Sequence, residues 1–219
     1  MKDRFQKIFN QSKPVIIAGP CSAESEKQVL ETAHQLKKHK NLIFRAGIWK
    51  PRTRPHSFEG VGEKGLKILQ LVKKETGLKT TTEVAKAAHV SLAIKHEVDI
   101  LWIGARTTGN PFAIQEIAEA LKGFNVPVMV KNPINPELNL WIGAIERLID
   151  AGIKNIAAVH RGFFAYKNSK YRNTPQWKFD LVAKSDISAI TTGGKMLLNA
   201  SGNVSIDTVS GIMAFKSGT

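Results

Sequence analysis

Short β-branched runs alternate with amphipathic stretches along most of this chain, and that alternation limits the possible folds more than any other feature. Residues 14–18 (PVIIA) are strand-like. Residues 26–38 follow with Val29, Leu30, Ala33 and Leu36 on one helical face. The pair then recurs: strand 42–45 (LIFR), helix 66–76 ended by Gly77, strand 79–83, helix 85–95, strand 100–105 (ILWIGA), helix 111–122, strand 126–131 (VPVMVK), helix 138–151 ended by Gly152, and strand 155–161 (NIAAVHR). Asn110 before Pro111 supplies an N-cap followed by proline at the first helical position. Six strands joined by helices imply a parallel sheet with helices outside it, because parallel neighbours need a crossover.

Polar and charged residues fall at the carboxyl ends of these strands: Cys21, Arg45, Glu83, Arg106, Lys131 and Arg161. A (β/α)8 barrel builds its active site there. A doubly wound open sheet also binds ligands at strand carboxyl ends, but at one switch point. Here chemically active groups follow nearly every strand, so an α/β fold of the TIM-barrel type is expected. No Gly-x-Gly-x-x-Gly turn follows the first strand, which counts against a dinucleotide site.

The alternation then stops. A full barrel takes about 250 residues and eight strands, whereas this chain has 219 residues. After Phe179, turns of the type Thr-Thr-Gly-Gly, Ala-Ser-Gly-Asn and Val-Ser-Gly surround short runs at 195–199 and 203–209. These read as β-hairpins or a disordered tail, not as seventh and eighth β/α units. The expected organisation is a partial barrel of about six units over residues 1–180, with a divergent tail over 181–219. Such a barrel leaves sheet edges open. A fragment with a foreign or frameshifted tail is expected ahead of a chain completed by a partner or a degenerate relative.

The formal net charge is +14, from 32 basic and 18 acidic residues. Nucleic-acid binding would need basic residues gathered on one face. Lysines such as those of residues 64–74 are instead spread between apolar positions and read as solvated helix faces, so no nucleic-acid partner is expected. No stretch reaches about 18 apolar residues, so none should span a membrane. Residues 1–9 mix Lys, Asp and Arg, unlike a signal peptide. Cys21 is the single cysteine, which excludes an internal disulfide and suits a reducing cytoplasm.

The strand-end cations behave differently from the helix lysines. Arg45, Lys50 and Arg52 lie close together in Arg-Ala-Gly-Ile-Trp-Lys-Pro-Arg-Thr, where Pro51 restrains the loop. They would repel one another unless anions bind there; an exposed basic loop is the plain alternative. Arg106, Lys131 and Arg161 end three successive strands and so point towards a common volume, a pattern suited to a polyanion. Glu83 either orients water or substrate, or pairs with a cation. Cys21 is either a small core residue, a metal ligand or a nucleophile. His160 and Arg161 alternate about the sheet, and His160 is read as structural.

The segments Ile17-Ala-Gly-Pro-Cys-Ser-Ala-Glu, Phe44-Arg-Ala-Gly-Ile-Trp-Lys-Pro-Arg-Thr, Trp102-Ile-Gly-Ala-Arg-Thr-Thr, Val130-Lys-Asn-Pro and His160-Arg-Gly-Phe resemble the successive motifs of the class I 3-deoxy-7-phosphoheptulonate (DAHP) synthases. They occur in order over residues 12–178. The similarity is to the variety fused, in some bacteria, to a chorismate mutase. The resemblance implies a cytoplasmic transferase of the shikimate pathway that condenses phosphoenolpyruvate with erythrose 4-phosphate, commonly as a homo-oligomer. It implies that Arg45, Lys50, Arg106, Lys131 and Arg161 bind phosphoenolpyruvate and that Arg52 and Thr53 hold erythrose 4-phosphate; Lys50 and Glu83 are the catalytic candidates. Cys21 would be one ligand of a divalent metal (Mn, Fe, Co or Zn). The related 3-deoxy-octulosonate 8-phosphate synthases usually differ at the loop occupied here by Lys50-Pro51-Arg52-Thr53, so the four-carbon sugar is expected. The family completes its metal site with a His, a Glu and an Asp from its last units. Here no histidine follows His160 and no glutamate follows Glu146, so an incomplete metal site and weak or absent turnover are expected. The alternatives are a 3-deoxy-octulosonate 8-phosphate synthase, or a non-enzymatic module that binds acidic partners through its basic surface.

Overall fold

The structure is a computed structural model that describes residues 15–52, 54–135, 137–164 and 173–174. Six parallel strands form one sheet: β1 (Ile16–Ala18), β2 (Leu42–Arg45), β3 (Lys79–Val84), β4 (Ile100–Ile103), β5 (Val128–Lys131) and β6 (Ile156–Val159). Every strand pairs with its predecessor in sequence, in the order β1-β2-β3-β4-β5-β6. A doubly wound sheet would reverse this order at a switch point. The unbroken order is that of a (β/α) barrel, of which the described residues form six strands. The crossovers are α1 (Glu26–Leu36), α2 (Glu63–Thr76), α3 (Ala87–Lys95), the single turn α4 (Ala105–Thr108) with α5 (Pro111–Leu121), and α6 (Leu138–Asp150). A short antiparallel pair follows, β7 (Phe163–Phe164) with β8 (Asn173–Thr174). The tail expected over 181–219 lies outside the described residues.

Local chemistry explains most of the boundaries. Ser25 Oγ accepts from Gln28 N–H at the start of α1, and Gln28 Oε1 accepts in turn from Glu24 N–H. Asn110 Oδ1 accepts from Phe112 N–H and Ala113 N–H ahead of α5, as the Asn-Pro pair predicts. Gly77 closes α2 in the left-handed conformation, at φ 70°.

Several boundaries shift by one to three residues from the sequence reading (β5 begins at Val128, and β6 spans Ile156–Val159), and two of the shifts have a visible cause. Helix α2 begins at Glu63 rather than 66, because Gly62 N–H donates to Ile48 O and the preceding loop is pinned to main chain, not to a capping side chain. Strand β4 ends at Ile103 instead of running to residue 105. Gly104 O accepts from Thr107 N–H and Thr108 N–H and turns the chain into α4.

Strand alternation sorts the apolar side chains into two layers. Phe44, Val84, Leu101, Ile103, Val128 and Val130 face the helices and join Val29, Leu66, Leu69, Ile114, Ile117 and Leu148 in the main core. Each large side chain fully buried here contributes roughly 2 kcal/mol of transfer free energy. The opposite face carries a smaller cluster of Ile43, Ile100, Trp102 and Met129, packed against Val15, Ala157 and Val159. This inner layer forms the floor beneath the strand carboxyl ends.

Candidate functional site

Continuing the inward alternation past each inner-layer residue reaches the candidate side chains. Ile43 leads to Arg45 on β2, Thr81 to Glu83 on β3, Met129 to Lys131 on β5, and Val159 to Arg161 just beyond β6. The guanidinium of Arg45 stands over the indole of Trp102, 5.0 Å from the ring centroid. Lys131 Nζ stands over the same ring at 4.8 Å. Trp102 Nε1–H donates to Glu83 Oε2 (2.8 Å). Three other strands thus bring side chains to the indole carried by β4.

The electrostatics match this crowding. Burial pushes the Lys131 amine below the usual lysine range, Glu83 opposes that shift, and the charges of Arg45 and Arg161 add to it. Arg45 Nε and Thr81 Oγ1 are buried with no hydrogen-bond partner among the described residues. A buried guanidinium N–H facing neighbouring cations suits an incoming anion with oxygen acceptors.

A second group adjoins the first. Lys50 Nζ donates to the carbonyl oxygen of Cys21 and to Cys21 Sγ, the latter at 3.3 Å. The hydrogen bond from Lys50 holds the Cys21 thiol below its ordinary range. Burial opposes the shift, and the charges of Lys50, Arg45 and Arg52 reinforce it. Two glycines allow this approach. A Cβ on Gly47 would meet Cys21 O at 2.3 Å, and one on Gly19, whose φ is +146°, would meet Arg45 O at 2.0 Å. Arg52 Nε–H donates to Phe58 O (2.8 Å), which fixes the loop that carries it.

The structure therefore gathers Arg45, Glu83, Lys131 and Arg161, with Cys21, Lys50 and Arg52 alongside. Arg106 differs. It is exposed on α4, one turn past β4, and makes no hydrogen bond or ion pair with another described site residue. Thr53 lies outside the described residues. His160 is exposed, with its ring tilted against Trp141 at 6.2 Å.

Two contributors lie within the motif segments but are not singled out as site residues by the sequence reading. Trp102 looks like an ordinary apolar strand position. Asn132 looks like a loop residue, yet it is fully buried. Asn132 Nδ2 donates to Pro133 O and Gly162 O (3.1 Å each), while its Oδ1 accepts from Arg161 N–H (2.7 Å). It fastens the loop after Lys131 to the loop after β6.

A family model described as the DAHP synthetase I family matches residues 6–185. The chain belongs to the DAHP synthetase I family. Among its relatives, a phospho-2-dehydro-3-deoxyheptonate aldolase of Thermotoga maritima is 33% identical over 159 residues, covering 73% of this chain and 45% of the relative. A 2-dehydro-3-deoxyphosphooctonate aldolase of Caulobacter vibrioides is 34% identical over 170 residues, covering 71% of this chain and 55% of the relative. The crystal structure of a Thermotoga maritima DAHP synthase superposes with a TM-score of 0.63 at 31% identity, over 73% of this chain and 44% of that one. A truncated form of the Thermotoga maritima 3-deoxy-D-arabino-heptulosonate 7-phosphate synthase superposes with a TM-score of 0.61 at 29% identity, over 73% of this chain and 56% of that one. The chain thus spans about half the length of the relatives it matches.

DAHP synthetases of this family typically use a divalent metal, and Cys21 is the ligand expected from the motif resemblance. Among the described residues no three His, Cys, Asp or Glu side chains gather where they could hold a metal ion. The Cys21 sulfur instead receives the Lys50 ammonium. The described donors by themselves do not fit a divalent cation, which needs several anionic or imidazole ligands.

Proposed function

We propose that this chain carries the phosphoenolpyruvate half of a DAHP synthase site. The observation that carries the reading is the pair of cations, Arg45 and Lys131, over one buried indole, with Arg161 close enough to shift the Lys131 amine. Phosphoenolpyruvate has two anionic groups on a three-carbon frame. Planar guanidinium forks suit its phosphate and carboxylate, and the lysines Lys50 and Lys131 add compact charges. Arg106 is assigned to the same set by the motif resemblance alone. Arg52 and Thr53 are assigned to erythrose 4-phosphate.

The reaction assigned to the complete site is a condensation. Carbon 3 of phosphoenolpyruvate attacks the aldehyde carbon of erythrose 4-phosphate and forms the new C–C bond. Water adds to carbon 2, and the C–O bond to phosphate breaks, releasing inorganic phosphate. Negative charge is carried by the phosphates and develops on the former aldehyde oxygen, and the clustered cations stabilise it without having to move into place. Lys50 and Glu83 are the candidates for proton handling, Lys50 at the former aldehyde oxygen and Glu83 at the water. Turnover by this chain is expected to be weak or absent, because the described residues supply only Cys21 towards a metal.

Titration calorimetry with phosphoenolpyruvate tests the reading. Saturable binding supports it, and no binding at millimolar ligand in a folded sample overturns it. Competition between erythrose 4-phosphate and a five-carbon sugar phosphate separates the two kinds of relative. A synthase that makes an eight-carbon acid from the same three-carbon donor needs the longer sugar, whereas Lys50-Pro51-Arg52-Thr53 favours the shorter one. The non-enzymatic reading has less support, since Arg45 and Lys131 are turned inward over Trp102 rather than outward.

A further inference from the structure

Among the described residues Trp102 makes three polar or electrostatic contacts, and each involves a different candidate site residue. Its ring faces the Arg45 guanidinium and the Lys131 amine, and its N–H binds Glu83. The side chain is only 2% exposed and sits in the inner layer with Ile43, Ile100 and Met129. Two like charges brought this close need something between strand ends to hold them. A carboxylate would do so by forming ion pairs, and would then compete with an incoming anion for the same cations. An aromatic face attracts cations through its quadrupole and leaves their charge available. Among the described residues Glu83 is the carboxylate at hand. One of its oxygens is taken by the indole N–H, and it forms no ion pair with Arg45 or Lys131.

We propose that Trp102 is the positioning residue of the anion site: its ring holds Arg45 and Lys131 in place without neutralising them, and its N–H keeps Glu83 from pairing with them. Trp102 acts through its neighbours and need not touch ligand. The inference deepens the phosphoenolpyruvate reading and rests on it for one of the two measurements below.

The first measurement needs no ligand. Wild type, Trp102→Leu and Trp102→Phe are treated with an amine-acylating ester, and modification of Lys131 is followed by mass spectrometry. The Leu variant offers no aromatic face, so Lys131 is released and its labelling rate rises several-fold. The Phe variant keeps a face and stays near the wild-type rate, a rescue that general loosening of the core would not produce. Wild-type labelling in Trp102→Leu overturns the proposal.

The second measurement is phosphoenolpyruvate affinity by calorimetry. Trp102→Leu should bind about tenfold more weakly, the size expected for losing one desolvated cation–π contact. Trp102→Phe should fall between it and wild type. Wild-type affinity in the Leu variant also overturns the proposal. If wild type itself does not bind phosphoenolpyruvate, the functional reading falls, and the labelling result decides the positioning role alone. If Trp102→Leu loses cooperative unfolding, Trp102→Phe is compared with Glu83→Gln, which keeps the indole but removes the carboxylate. Labelling of Lys131 is then expected near the wild-type rate in Trp102→Phe and above it in Glu83→Gln, where the carboxylate no longer supports the protonated amine, and a several-fold rise in Trp102→Phe overturns the proposal.

Discussion

The indole of Trp49 lies flat on the imidazole of His89, with 4.0 Å between ring centroids and 2° between their planes. Trp49 immediately precedes Lys50, and His89 lies in the first turn of α3, so the stack ties the basic loop to the helix of the next unit. The imidazole is neutral. Burial, and then the charge of Lys86, pull its pKa down to about 4, and its Nδ1 accepts from Ala85 N–H (3.3 Å).

That stack predicts a pH dependence with a definite sign. His89 takes up its proton near 6.5 in the unfolded chain and only near 4 in the fold. Between those values the unfolded state binds more protons, so stability rises with pH. The contribution is complete above about 6.5 and is lost as pH falls through 4. A thermal melt series should show the melting temperature falling over this window, and His89→Phe, which can keep the stack without titrating, should flatten the decline. An unchanged slope in that variant contradicts the assignment.

The Lys50–Cys21 contact predicts the reactivity of the thiol. Lys50→Met removes the main influence that lowers the Cys21 pKa, so the thiolate fraction at neutral pH falls. Alkylation with iodoacetamide should slow several-fold at pH 7, and the pH–rate profile should move to higher pH. A profile that stays in place would show that the hydrogen bond does not control the thiol.

Two glycines at the site should respond differently to the same added methyl group. In Gly104→Ala the new Cβ meets the Glu83 carboxylate at 2.1 Å, a flexible group that can swing away. The melting temperature should stay within a few degrees of wild type, while phosphoenolpyruvate affinity falls on the order of tenfold as Glu83 leaves the indole N–H. In Gly19→Ala the Cβ meets the Arg45 carbonyl at 2.0 Å, at a φ that side chains rarely adopt. Main chain cannot yield so readily, and chemical denaturation should show a loss of about 3 kcal/mol.

Asn132→Ala removes two hydrogen bonds donated by the side chain and the one accepted from Arg161, all in a buried setting. Urea denaturation should show a loss of about 3 kcal/mol, since the stranded carbonyl and amide groups are left without partners. Anion affinity should fall as well, because Lys131 and Arg161 are no longer tied into one frame.

Much of this architecture can be read from the residues. The strands and helices follow from apolar periodicity, and Asn110-Pro111 and Gly77 mark boundaries where the structure has them. The strand-end cations Arg45, Lys131 and Arg161 are legible because charge at the end of an apolar run is unusual. What escapes depends on contacts between distant segments. Helix α2 starts at Glu63 because Gly62 bonds to Ile48 across the loop, a main-chain link with no side-chain signature. The exposed position of Arg106 follows from the turn at Gly104, where the Glu83 carboxylate from the neighbouring strand leaves no room for a side chain. Trp102 is hidden for the opposite reason. A tryptophan in an apolar strand looks like core, and only the pairing of Glu83 with Trp102 across β3 and β4 shows what its N–H meets. The choice between structural and functional roles for Glu83 turns on that same contact.

The unbroken strand order has a consequence for how such a sheet comes into being. Each strand docks beside the one synthesised just before it, so every pairing closes only the loop of its own crossover. Short closures are entropically cheap, and folding rates rise as contacts become more local. The sheet can therefore grow in the direction of synthesis, with each new unit finding its template already formed on the emerging chain.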